Sequence, residues 1–479
     1  MNYSMIRYAI GWIVLFESIF FAVPMITAIV YSESAFFAFL ISAVVCALIG
    51  TLMVFKKPKD TTIYARDGFV IVSLCWVALS IFGTLPLMLT GVTNYSFADA
   101  LFETASGFST TGASIFTEVE WLPKSILLWR SFTHWVGGMG VLVFVMAFLP
   151  LGGGQNLHIM RAESPGPEVS KLVPKVKNTA IILYVIYFVM TVVLFITLLL
   201  ADMAPFDALN TAFATAGTGG FGFKNDSFAS ASAVQQIIVT VAMFLFSINF
   251  NSYYLILKLK FKDAINSEVR AFVCVVVAAI TIITINVYQQ FESIGEAVRH
   301  VAFTVASIIS TAGFSTVDFD LWPSLSKTII VLLMFIGACA GSTGGGMKVS
   351  RFIILIKGLF RELGAIVHPK QVKRISIDNR PLDREVIRSV NAYVVCFVLV
   401  FAASLVAISF DNKDLITNFT AVATTLNNVG PGLAEVGPTS NFSGFSDFSK
   451  LVLAFNMLAG RLELFPMLIL FAPSTWKRA

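Results

Sequence analysis

Charge is scarce in this chain. Of 479 residues only 13% are Asp, Glu, Lys or Arg, about half the quarter usual in soluble domains. A water-soluble globular protein is thereby excluded. Histidine is scarcer still: the four present are scattered without metal-ligand spacing, and neither HExxH nor GxSxG occurs. An enzyme needs a convergent nucleophile, base or metal centre, so a membrane enzyme is set aside. The five cysteines, Cys46, Cys75, Cys274, Cys339 and Cys396, have no CxxC spacing and lie in apolar runs. They are expected to be buried small hydrophobes. No GxGxxG sits between a strand and a helix, so no cofactor is expected, nor any nucleic-acid partner.

Long apolar runs fill the chain instead, with 57% hydrophobic residues and 45 phenylalanines. The first, about 8–31, is longer than a signal-peptide core and long enough to cross a bilayer, so it is expected to be retained. A second covers about 36–55. Four units follow, each a long run, a short amphipathic stretch, a glycine motif and another long run. The first unit divides as 68–92, 97–109, 110–114 and 123–149, the second as 179–202, 206–217, 218–222 and 233–257. The third divides as 268–290, 295–310, 311–315 and 325–357, the fourth as 387–409, 413–427, 428–432 and 447–472. The short stretches cannot span about 30 Å and must re-enter. The expected fold is therefore an all-α polytopic membrane protein. Two N-terminal helices (1–60) precede four outer helix–pore helix–inner helix repeats in pseudo-fourfold arrangement, over 61–165, 166–262, 263–365 and 366–479.

The glycine motif is the internal repeat that organises this reading. It reads Thr110-Thr111-Gly112, Thr218-Gly219-Gly220, Thr311-Ala312-Gly313 and Asn428-Val429-Gly430. One Thr-x-Gly serves equally as a helix break, but four in the same context point to a ring around an ion path. A dehydrated cation needs fixed oxygens in place of water, and extended backbone carbonyls aimed inward supply them. Glycine permits the backbone conformations and close approaches that such a segment requires.

Charge placement orients the chain. Of the 33 Lys and Arg, 25 fall on the termini and on the loops opposite the motifs, ten of them between Lys348 and Arg388. Only Lys124, Lys224, Lys327, Lys413 and Lys450 fall on the motif side. The basic face is expected to be cytoplasmic, with both termini. The outer loops carry Glu118, Glu120, Asp226, Asp318, Asp320, Glu435 and Asp447, a rim that either concentrates cations or is simply solvated.

With these motifs in this order, the chain resembles the TrkH/KtrB superfamily of bacterial potassium-uptake proteins over essentially its whole length. The two additional N-terminal helices favour the TrkH-type branch. The resemblance implies potassium, with rubidium as an analogue, held by the backbone of the four filter segments. It also implies a homodimer in the inner membrane, standing on a cytosolic TrkA-like ring of nucleotide-binding subunits. A serine at the first filter glycine accompanies sodium preference in related plant proteins, so Gly112 favours potassium. Asn428 and the following Pro431 depart most from the pattern.

Two further features lie beneath the motifs. Gly341-Ser342-Thr343-Gly344-Gly345-Gly346 interrupts the last run of the third unit. It is not a phosphate loop, because Met347 separates glycine from Lys348 and no strand precedes it. Six small residues at membrane depth are expected to break the helix in a shielded cavity, and the resemblance makes them the intramembrane gating loop. Arg461 is a charge within the last span and a functional residue by default; the resemblance places it in the pore beneath the filter. Glu103, Arg130 and Arg299 are expected in buried structural pairs. The rival within transport, a sodium- or proton-coupled symporter, would show inverted repeats and paired intramembrane acids. Here the repeats share one orientation and the clearest mid-span charge is Arg461, so the symporter stands as the alternative.

Overall fold

The computed structural model describes residues 1–60, 63–138, 140, 176–368, 374–378 and 380–476, with backbone only for 176–180. Most of the second half of the run expected over 123–149, nearly all of the basic loop 161–177, and Lys370, Lys373, Lys477 and Arg478 lie outside the described residues.

Two helices open the chain: Tyr3–Val30, slightly broken at Phe21, and Ala35–Val54. The outer helices of the four repeats are Ala65–Leu89, Val176–Leu200, Ser267–Val287 and Arg384–Ile408. The first of these is 67% buried and the last only 22%. The difference is positional: the N-terminal pair packs on the first repeat, whereas the other outer helices present Val, Ile and Phe outward. In lipid an exposed apolar face is the satisfied state. Cys274 sits on such a face and is exposed, and Cys396 is half-buried; only Cys46, Cys75 and Cys339 are buried as expected.

The four short pore helices are Phe97–Phe108, Pro205–Gly217, Ile294–Ser310 and Leu415–Asn427. Three begin on side-chain caps, Ser96, Ser293 and Asp414, each accepting the N–H three residues on. These caps satisfy amides that a helix start leaves free. Three pore helices end on a left-handed residue, Thr218, Thr311 or Asn428.

The first inner helix is described over Lys124–Gly138, and the other three break within the apolar runs that encode them. Ala233–Phe246 and Phe250–Leu257 meet at 90°, a bend not expected from the sequence. The bend frees the Ser247 and Phe246 carbonyls, which accept from Cys339 N–H (3.1 Å) and the Thr343 hydroxyl (3.1 Å). In the third repeat, Ser324–Ile336 stops and Val349–Val367 resumes after an irregular segment. In the fourth, Asp447–Arg461 ends where Glu463 and Leu464 take positive φ. A two-stranded hairpin, Ser376–Ile377 with Arg380–Pro381, lies between the third and fourth repeats.

Candidate functional site

The four glycine motifs meet. A Cβ built on Gly112 would overlap the Gly220 nitrogen, and one on Gly220 would lie 2.7 Å from the Ala312 oxygen. One on Gly313 would lie 2.5 Å from the Val429 oxygen, and one on Gly430 2.9 Å from the Thr111 oxygen. The approaches run from repeat one to two, three, four and back to one, so the segments form a closed ring. No side chain fits at these positions, and Gly112, Gly313 and Gly430 also hold positive φ.

The backbone repeats a single construction around this ring. Thr110, Thr218, Thr311 and Asn428 all adopt left-handed φ between 54° and 64°. That conformation disfavours β-branched threonine, and such strain gathers at functional sites. The next residue then donates its N–H back to the pore helix. Thr111 donates to Ser106 O (2.9 Å), Gly219 to Ala214 O (2.9 Å), Ala312 to Ser307 O (2.8 Å) and Val429 to Thr424 O (2.9 Å). The carbonyls are left over. Among the described residues, none of those at 110–112, 218–220, 311–313 or 428–430 accepts a hydrogen bond, although Thr111, Ala312 and Val429 are fully buried. Each unpartnered buried carbonyl costs on the order of 1–3 kcal/mol. The pore helices also aim their partially negative C-terminal ends at the ring. The ring is thus a concentration of oxygen dipoles with no protein donor. On its outer side a cavity of about 120 Å³ is lined by the ring glycines, Ser114 and Asn441.

Three side-chain devices hold the segments. Glu103 on the first pore helix accepts from Arg130 Nε (2.7 Å) and from Ile115 N–H (3.0 Å). Arg130 also donates to Ser114 Oγ and Gly222 O, and stacks on Phe221 at 4.1 Å. Glu103 and Arg130 are therefore the structural pair expected. Arg299 lies 3.9 Å from Glu296, but both side chains are only half-buried, so this pair is not the buried one expected. His134 was not picked out from the sequence. Its Nδ1 lies 2.7 Å from Gly107 O, and Phe221 N–H donates to its Nε2 at 3.2 Å. A carbonyl on one side and an amide N–H on the other require the neutral ring with hydrogen on Nδ1. His134 thus joins the first pore helix to the second filter segment. The third device is Asn428, whose Nδ2 donates to Thr111 Oγ1 (3.0 Å) and Met457 O (2.8 Å).

Beneath the ring lies the irregular segment 337–348, directly against the glycine motifs. Gly345 N–H donates to Thr311 Oγ1 (2.7 Å), and Gly346 N–H to Asn427 O (2.9 Å). Arg461 reaches the segment from the fourth inner helix. Its guanidinium donates to Thr343 O (2.7 Å) and to Gly137 O (2.6 Å) and Gly138 O (2.5 Å) of the first inner helix. One side chain thus bridges three repeats across the axis. Glu463 pairs instead with Arg351.

Two cations counted as cytoplasmic anchors are structural. Lys348 is 2% exposed with Nζ on Gly344 O, and Arg351 is buried against Glu463 and Tyr393. Several outer acids are similarly tied. Asp320 accepts from Ala434 N–H (3.1 Å), Glu120 from Asn225 N–H (3.1 Å), and Glu435 pairs with Lys413. Lys450 is buried on Asp99 (2.5 Å). A sequence shows charge but not reach, and apart from Lys348 and Gly344 these partners lie 22 or more positions apart along the chain.

A family model described as "TrkH: Cation transport protein" matches residues 35–478. The chain is 33% identical, over all of both chains, to the Trk system potassium uptake protein TrkH of Halomonas elongata. It is 34% identical to TrkH of Escherichia coli, again over all of both chains. The crystal structure of the potassium transporter TrkH from Vibrio parahaemolyticus superposes with a TM-score of 0.90 at 32% identity, covering all of both chains. These relatives are transport proteins, not enzymes. A polytopic helical membrane protein with this fold, this ring and this full-length kinship belongs to the TrkH family of cation transport proteins.

Proposed function

We propose that this chain takes up potassium across the inner (cytoplasmic) membrane through the central ring, with both termini cytoplasmic. The observation that carries the reading is the set of unpartnered carbonyls at 110–112, 218–220, 311–313 and 428–430, all on buried residues except the half-buried Gly112, Gly220 and Gly313. A monovalent cation satisfies them without a protein donor, and four converging helix C-termini favour positive charge. The relatives' common description as potassium uptake proteins supports potassium as the cation.

In this reading the segment Gly341–Gly346 is the gate, because it occupies the space directly under the filter and donates amides to it. Arg461 locks it by tying Thr343 to the first inner helix, and adds a positive charge that opposes cation passage below the ring. Two copies of the chain standing on a cytosolic nucleotide-binding ring of the TrkA kind complete the assembly. The membrane potential, about 2.3 kcal/mol per charge per 100 mV, drives the ion inward.

The test is potassium and rubidium flux into liposomes, comparing the native chain with Gly112→Ser. Voltage-dependent uptake by the native chain, with discrimination against sodium weakened in the variant, is expected. Absence of voltage-dependent potassium flux, with or without the cytosolic partner, would overturn the pore and leave a coupled symporter.

A further inference from the structure

Glu268 lies outside the filter and outside the segment 341–346, at the cytoplasmic start of the third outer helix, and is 7% exposed. A single carboxylate oxygen of Glu268 accepts two amides. Ala340 N–H donates to Oε1 at 2.8 Å, and Ser350 N–H to the same atom at 3.1 Å. Ala340 immediately precedes the glycine stretch 341–346, and Ser350 lies in the first turn of the helix that follows it. One atom therefore ties both ends of the loop, and both bonds are charge-assisted, hence stronger than neutral ones.

The residue before it is tied in turn to the cytoplasmic hairpin. Ser267 donates its N–H (2.8 Å) and its hydroxyl (2.6 Å) to Asp378 Oδ1, and Arg270 lies 3.8 Å from the same oxygen. Asp378 sits in the turn of the hairpin formed by Ser376–Ile377 and Arg380–Pro381. The hairpin is also held to the helix that follows the loop, through Lys357 Nζ on Ser376 O (2.7 Å). A continuous run of short contacts thus leads from the cytoplasmic hairpin, through Asp378, Ser267 and Glu268, to both ends of the loop.

We propose that Glu268 is a positioning residue that closes the loop, and that the hairpin turn at Asp378 is the cytoplasmic handle through which a regulator releases it. This rests on the reading of the loop as a gate. A partner that draws the hairpin away pulls Ser267, withdraws the carboxylate beside it and frees both loop ends together.

Cys339 offers a readout at the entry of the loop, since it is fully buried and immediately precedes Ala340. The experiment uses the full chain in liposomes. It measures alkylation of Cys339 by N-ethylmaleimide, resolved by peptide mass spectrometry, in parallel with rubidium flux. Glu268→Ala is expected to label about tenfold faster, because local opening limits access, and to pass rubidium faster. Glu268→Gln keeps the accepting oxygen and is expected to restore labelling to within about threefold of native, the loss of charge assistance being the smaller change. Asp378→Ala, at an exposed turn, is expected to speed labelling as well, without adding to Glu268→Ala.

Native labelling rates in both Glu268→Ala and Asp378→Ala would overturn the proposal, as would fully additive effects in the double variant. If Glu268→Ala does not fold, Asp378→Ala alone decides: faster Cys339 labelling supports the handle, an unchanged rate removes it. Failure of the potassium reading is separable. It would appear as absent rubidium flux in the native chain, while Cys339 labelling still reports on the loop.

Discussion

Asn428 and Thr111 are 317 positions apart in sequence, yet the Asn428 amide donates to the Thr111 hydroxyl at 3.0 Å. This bond closes the ring of glycine motifs between its last and first segments. The asparagine that departs from the threonine pattern is therefore the residue that joins the ends. A threonine hydroxyl has one proton to give. The asparagine Nδ2 has two, and it uses them on Thr111 and on Met457 O.

Replacing Asn428 with alanine should therefore loosen the ring at one seam. Loss of two buried bonds is expected to cost about 2–4 kcal/mol and to lower potassium-over-sodium discrimination. Thermal unfolding in detergent and competitive rubidium–sodium flux check both. Native selectivity in the variant would place Asn428 outside the filter's support.

His134 makes a stability prediction that needs no flux assay. His134→Leu removes both ring hydrogen bonds and orphans Phe221 N–H, whereas Gly107 O keeps the Thr110 N–H, for an expected cost of about 2 kcal/mol. A neutral amide, His134→Gln, carries a donor and an acceptor and should recover part of that loss. Equal melting temperatures for the two variants would contradict the tautomer assigned to the ring.

Glycine substitutions should separate ring from loop. Gly430→Ala forces a side chain toward the Thr111 oxygen at φ +99°, whereas a Cβ on Gly222 would meet nothing closer than 3.5 Å. Gly430→Ala is expected to reduce potassium flux at least tenfold, about 1.4 kcal/mol or more in barrier, and Gly222→Ala to stay within twofold. Comparable flux in both would mean that close backbone approach does not govern permeation.

Arg461 should act as a lock and not merely as a charge. Arg461→Lys keeps the charge, but a single ammonium is not a planar fork able to reach Thr343 on one side and Gly137 and Gly138 on the other. Both Arg461→Lys and Arg461→Ala are expected to raise basal rubidium flux. If lysine behaves as native arginine, electrostatics alone accounts for the residue.

One acid-linked effect lies at the start of the fourth pore helix. The Thr417 hydroxyl and then its N–H donate to Asp414 and hold this carboxyl below its usual range. A depressed carboxylate contributes stability above its unfolded pKa and loses it as pH falls through the lower folded value. Stability of the fourth pore helix should thus fall in acid below the usual aspartate range. Asp414→Asn should flatten that part of the stability–pH profile, and an unchanged slope would show that the cap does not titrate in unfolding.

Much of the architecture was legible in the residues themselves. Run length distinguishes a spanning helix from a re-entrant one by elementary geometry, and the expected stretches 206–217, 295–310 and 413–427 lie within two residues of the helices observed. The recurrence of Thr110, Thr218, Thr311 and Asn428 before their glycines was likewise local and periodic. What only the tertiary structure decided is who meets whom across the axis. Sequence shows that Lys348 and Arg351 are charged, but not that they fold back into the protein, and it shows Glu268 as one acid at a helix start. The partners of His134, Glu268 and Arg461 are up to 324 positions away. A hydrogen bond depends on distances of about 3 Å, and no pattern along a chain specifies those before the four repeats close on one another.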